Sequence, residues 1–210
     1  LRLYDVNAEK RRDRELMEST FQNILDDIKN SKKAVAVLPS EDSIKAEVKN
    51  TYKINSKSLL AVLLEHTGGI IIDHWIRLYG AGEVNFISRN SLCPFDNILI
   101  GEDILGGLFM FLENGNIGYF APDCLELEDM EISFSQFLYW CFHGDTVTFY
   151  KDYFWKGWQK DVVNIKNDEG VAFYPFLWAK ADSFESRARE IVPIAEIIRL
   201  EFDFLKQLYA

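Results

Sequence analysis

The sequence predicts an α+β fold, with a mainly antiparallel central sheet and helices at both ends, in a single domain over residues 1–210. Three observations predict it. Apolar residues recur at helical spacing near both termini. Strand-like segments cluster in the middle, two of them joined by Asn114-Gly115, a dipeptide favoured in tight hairpins. No repeat and no linker rich in Pro, Gly or Ser divides the chain.

The elements follow in order. Residues 8–30 read as an amphipathic helix through Met17, Phe21, Ile24, Leu25 and Ile28, with Asn7 as its cap. Residues 34–38 form a short apolar stretch ended by Pro39. Ser40 is placed to cap a helix to about Lys49. Ser56 or Ser58 starts another, ended by Gly68-Gly69. Residues 69–79 read as one strand. Ile70, Ile72, His74, Ile76 and Leu78 fall on one face, and Ile71, Asp73, Trp75, Arg77 and Tyr79 on the other. A short strand at 97–100 precedes a hairpin of 104–112 and 117–120, in which Gly106-Gly107 marks a bulge or close contact. Residues 125–127 add a strand. Ser133 and Gln136 make a capping box for the next helix, which Gly144 closes. Asp145 caps a short helix, and 158–165 is helical. Residues 171–178 are strand-like, with Pro175 at an edge or bulge. Pro193 opens the last helix, 193–208, which buries Ile194, Ile197, Ile198, Leu205 and Leu208.

Composition narrows the functional classes. At 48% hydrophobic, 14% aromatic and 27% charged, the chain is neither disordered nor of low complexity. No uncharged apolar run approaches the ~20 residues of a spanning helix, so no membrane partner is expected. Three cysteines, Cys93, Cys124 and Cys141, lack metal-binding or paired spacing. They suit reduced thiols and a cytoplasmic location, although Leu1 in place of methionine keeps a removed N-terminal signal open.

The net charge of −10 is unevenly placed. Between Arg89 and Lys151 there is no Lys or Arg, while ten acids fall there: Asp96, Glu102, Asp103, Glu113, Asp123, Glu126, Glu128, Asp129, Glu131 and Asp145. The rest of the chain balances 23 acids against 23 bases. Such a field repels phosphate backbones and attracts basic proteins, so nucleic acid is not an expected partner. Asp123, Glu126, Glu128, Asp129 and Glu131 are the candidate contacts. Trp140 is the candidate anchor, because a large ring buries much area at small entropic cost.

Searches for chemistry return little. His66, His74 and His143 form no HxH or HExxH pattern, and the acidic run lacks the calcium-loop pattern. There is no GxSxG, no GxGxxG and no P-loop. Neither a catalytic group nor a metal or other cofactor is expected. A second reading places a hydrolytic or small-ligand cleft at Asp73, His74 and Arg77. A third is a homo-oligomeric assembly module.

The order of Leu38-Pro39, Thr67-Gly68-Gly69-Ile70, Ile72-Asp73-His74-Trp75-Ile76-Arg77 and Ile104-Leu105-Gly106-Gly107 is distinctive. It continues through Tyr119-Phe120-Ala121-Pro122-Asp123, Phe137-Leu138-Tyr139-Trp140, Gly157-Trp158, Phe173-Tyr174-Pro175-Phe176-Leu177-Trp178 and Val192-Pro193-Ile194-Ala195-Glu196. In these residues the chain resembles a bacterial family known as domain of unknown function 2625. The resemblance implies no assigned activity. That family often carries a glycine between the residues matching His74 and Trp75. A residue lost within a strand would reverse the facing of Trp75 and Arg77. Residues 104–145 are also similar to the SUKH superfamily of α+β proteins, many of them implicated in immunity against bacterial toxins. That likeness implies an immunity role; together with the acidic segment and the lack of catalytic motifs it leads to the expectation of a non-enzymatic protein-binding domain that occludes a basic toxin.

Overall fold

The computed structural model describes residues 6–208. Seven strands form one antiparallel meander in chain order: β1 (Val35–Leu38), β2 (Gly69–Ile72), β3 (Ile76–Tyr79), β4 (Leu99–Asp103), β5 (Leu108–Phe111), β6 (Asn116–Ala121) and β7 (Glu126–Ser133). A separate hairpin pairs β8 (Glu169–Tyr174) with β9 (Ala188–Pro193). The helices are α1 (Val6–Asn30), α2 (Asp42–Thr51), α3 (Leu59–His66), α4 (Phe86–Asn90), α5 (Phe134–His143), α6 (Thr146–Phe149), α7 (Trp158–Val162) and α8 (Ile194–Leu208). This is the expected α+β class. No helix among the described residues is long and apolar enough to cross a membrane.

The large sheet is covered on both faces. Alternation sends Asp103, Phe109 and Tyr119 to one face, and Glu102, Leu108 and Phe120 to the other. Helix α5 packs on the first, with the Phe137 ring 4.8 Å from that of Phe109. Helix α8 packs on the second, with Phe202 5.5 Å from Phe120. Strands β2 to β5 are therefore almost wholly buried, which explains their near-continuous apolar runs. Strand β7 ends the sheet with one neighbour and a mostly exposed surface.

Local signals set several boundaries. Ser58 accepts from the Ala61 amide and starts α3. The capping box of Ser133 and Gln136 opens α5. Asp145 accepts from the Thr148 amide at 2.9 Å. Gly115 takes the positive φ, 84°, of the hairpin turn.

Other expectations are corrected. Residues 69–79 are two strands. Asp73 and His74 both have positive φ, 51° and 55°, and turn the chain between them. Aspartate and histidine tolerate that region better than most residues, and the Asp73 carboxylate accepts from the Ala34 amide at 2.9 Å. His74 is thus exposed at a turn, not placed on the apolar face. A glycine inserted beside it would lengthen a turn and leave the facing of β3 intact. Gly106-Gly107 lies in the tight β4–β5 turn and not in a strand bulge, but the close contact expected of it is present, against Glu201 and Ile197 at Gly106 and against Asp103 and Tyr119 at Gly107. Asn7 falls inside α1, so it is not a cap. Glu41, not Ser40, precedes α2, and Pro193 ends β9 one residue ahead of α8. The expected burial of Leu208 lies outside the described side chains.

Candidate functional site

Four of the five predicted acidic contacts lie on one sheet edge. Glu126, Glu128, Asp129 and Glu131 are exposed on β7, and Asp123 is exposed in the preceding turn. Leu125 and Glu131 have positive φ, 58° and 57°, at the two ends of this segment. Between them, 126–129 pairs regularly with β6, and the register then shifts. Glu126 and Glu128 lie across from Ala121 and Tyr119, while Leu127 lies across from Phe120. The two glutamates therefore share the α5 face, and Leu127 and Asp129 share the α8 face.

The electrostatics of this edge are uncompensated. None of the ion pairs among the described residues includes Asp123, Glu126, Glu128, Asp129 or Glu131. Asp123 faces the Tyr153 hydroxyl, and Asp129 is held by three donors. Asp129 accepts from Asn114 at 2.8 Å, from the Glu131 amide at 2.7 Å and from Asn116 at 3.1 Å. Those donors hold its carboxyl below the usual carboxylate range. Trp140 is half-buried on α5. Its ring packs against Phe137 and Phe149, at 5.9 and 5.1 Å, as part of the core.

An apolar groove of about 860 Å³ runs along the α8 side of this edge. Phe120 and Phe202 form its buried floor, and Phe95 and Leu127 stand 38% and 42% exposed. Leu205 closes the helix side, and Glu126 and Lys206 reach the rim. The sequence hides this groove because its walls come from a loop, an edge strand and the last helix. The readable signal was one leucine alternating with glutamates at 126–128.

Asp73, His74 and Arg77 do not converge. Asp73 and His74 occupy the β2–β3 turn, whereas Arg77 is buried beside Glu102. Glu102 receives Arg89 Nε at 2.9 Å, Arg77 Nη1 at 3.4 Å and the Tyr79 hydroxyl at 3.0 Å. The two guanidinium groups also donate to the Lys166 and Asn167 carbonyls, at 2.8 and 3.3 Å, and fasten that loop to the sheet. These residues form a satisfied internal network, with no open reacting position.

A second internal group surrounds the β4–β5 turn. Asp103 accepts from the Leu105 and Gly107 amides and from the Tyr119 and Tyr150 hydroxyls. Burial raises its carboxyl, and those four donors oppose the rise. Glu201 approaches from α8, 1% exposed, with neither carboxylate oxygen hydrogen-bonded. Burial, with the Asp103 charge, raises it well above the ordinary glutamate range. No three or more His, Cys, Asp or Glu side chains gather around a possible metal position among the described residues.

A family described as protein of unknown function DUF2625 matches residues 14–197. The chain belongs to the DUF2625 family. The uncharacterized protein YbfG of Escherichia coli is 29% identical over 197 residues, covering 87% of this chain and 88% of its own. An uncharacterized protein of Haemophilus influenzae is 26% identical over 169 residues, covering 71% and 74%. No solved structure gives a significant match. The DUF2625 match contains the whole seven-stranded sheet and the acidic edge. It stops in the first turn of α8, ahead of Phe202, Leu205 and Lys206.

Proposed function

We propose that this DUF2625 domain is a non-enzymatic protein-binding module that takes a basic protein partner on its β7 edge. The observation that carries the reading is the row of exposed carboxylates at 123–131 with no cation paired to it. Each uncompensated carboxylate adds to a field that draws a cationic surface from about a Debye length, ~8 Å at physiological salt. Docked lysines or arginines then exchange water for carboxylate partners, which favours association rate and specificity. The finer reading is an immunity-type role in which the bound domain occludes a basic toxin. Its support is the SUKH-like likeness of residues 104–145 together with the acidic surface.

The experiment is affinity capture from the native cells at low salt, with neighbouring genes expressed. The wild-type chain and a Glu126→Lys/Glu128→Lys variant serve as paired baits. The expected result is a basic protein retained by the first and lost from the second. Capture that is equal on both baits, or no basic protein on either, contradicts the proposal.

A further inference from the structure

We infer that β7 accepts a segment of the partner as an eighth strand, one in which basic side chains alternate with apolar ones. The inference rests on the acidic-edge reading and adds the form of the partner. Strand β7 pairs on one side only, so its outward N–H and C=O groups can extend the ladder. The stretch 126–129 pairs with β6 in unbroken register, so its backbone is regular strand and alternate residues turn their N–H and C=O outward.

The two faces of that stretch ask for different side chains. Directly opposed residues in a sheet share a face. Side chains opposite Glu126 and Glu128 therefore lie beside two unpaired carboxylates, and Lys or Arg fits there. The side chain opposite Leu127 lies on the α8 face, at the groove floored by Phe120 and Phe202. A large apolar group fits there. The order across β7 is basic, apolar, basic.

Charge complementarity decides among occupants. Pairing β7 with β7 of a second copy would bring two rows of carboxylates together, which opposes self-association. Protection of an edge against aggregation needs only the charges. It gives no reason for an open apolar groove beside them. Lys206, across the groove, pairs with Asp203 at 3.3 Å and makes no ion pair with Glu126.

The test uses the synthetic peptide Ser-Lys-Leu-Lys-Leu-Lys-Ser, titrated into the isotope-labelled full chain and followed by amide NMR. Three comparisons accompany it: the peptide N-methylated at alternate amides, the Leu127→Ser variant, and salt raised to about 0.5 M. Amide shifts centred on 126–129 are expected. N-methylation and Leu127→Ser are each expected to weaken binding about tenfold or more, through lost ladder bonds and lost apolar contact. Salt-sensitive binding that N-methylation leaves unchanged overturns strand addition, while the electrostatic reading stands. No binding even at low salt overturns both. The N-methylated peptide leaves the protein untouched, so a folding defect cannot imitate its effect.

Discussion

Glu201 and Asp103 are carboxyls in one buried neighbourhood with opposite provision. Asp103 has four donors, whereas Glu201 has none. A group without donors keeps its proton in the fold, since a buried bare charge is far costlier than a neutral acid. The unfolded chain releases that proton near the ordinary value of 4.5. Between 4.5 and the raised folded value the native state binds more protons, so this residue's contribution to stability falls as pH rises. The slope is about 1.4 kcal/mol per pH unit. Glu201→Met removes that penalty. Urea unfolding at pH 5 and pH 8 should show the variant gaining on wild type at the higher pH. An advantage equal at both values would mean that Glu201 is ionised and paired. Nothing in the sequence separates Glu201 from the exposed acids of α8 except its helical phase. Glu201 lies four residues after Ile197, on the buried side.

At the scale of elements, turns decide what sequence reasoning reached. Asn114-Gly115 and the caps at Ser58, Ser133 and Asp145 were legible because their local chemistry is self-contained. The Asp73-His74 turn was not, because two non-glycine residues take the left-handed region there and the flanking runs are apolar without a break. Strands β7 and β9 were missed or shortened for the reverse reason. Both are largely exposed, so little apolar alternation marks them. Gly106 and Gly107 carry the β4–β5 turn between the two buried carboxyls. A methyl on Gly106 would strike Glu201 at a backbone φ of 102°, and one on Gly107 would strike Asp103 and the Tyr119 hydroxyl. Gly106→Ala and Gly107→Ala are each expected to lower stability by about 1–3 kcal/mol. Thermal unfolding checks this, and a melting temperature unchanged in either variant contradicts the packing described.

For the whole molecule, the segregation of acids along the chain carries over to the surface only in part. Glu102 and Asp103 are internal, one balanced by Arg77 and Arg89 and the other by neutral donors. The other eight acids of that stretch are exposed. Four of them share β7, because a meander that ends there leaves its last strand at the rim. The candidate edge was thus readable as a charge run. Its identity as a free strand beside an apolar groove was not, since that depends on long-range sheet order. Zero-length carbodiimide cross-linking in the native lysate tests the docking claim most directly, because it joins carboxylates only to amines in contact with them. The account predicts peptides in which residues 123–131 are linked to lysines of a basic protein. Cross-links confined to other surface carboxylates, with 123–131 unlinked, would contradict it.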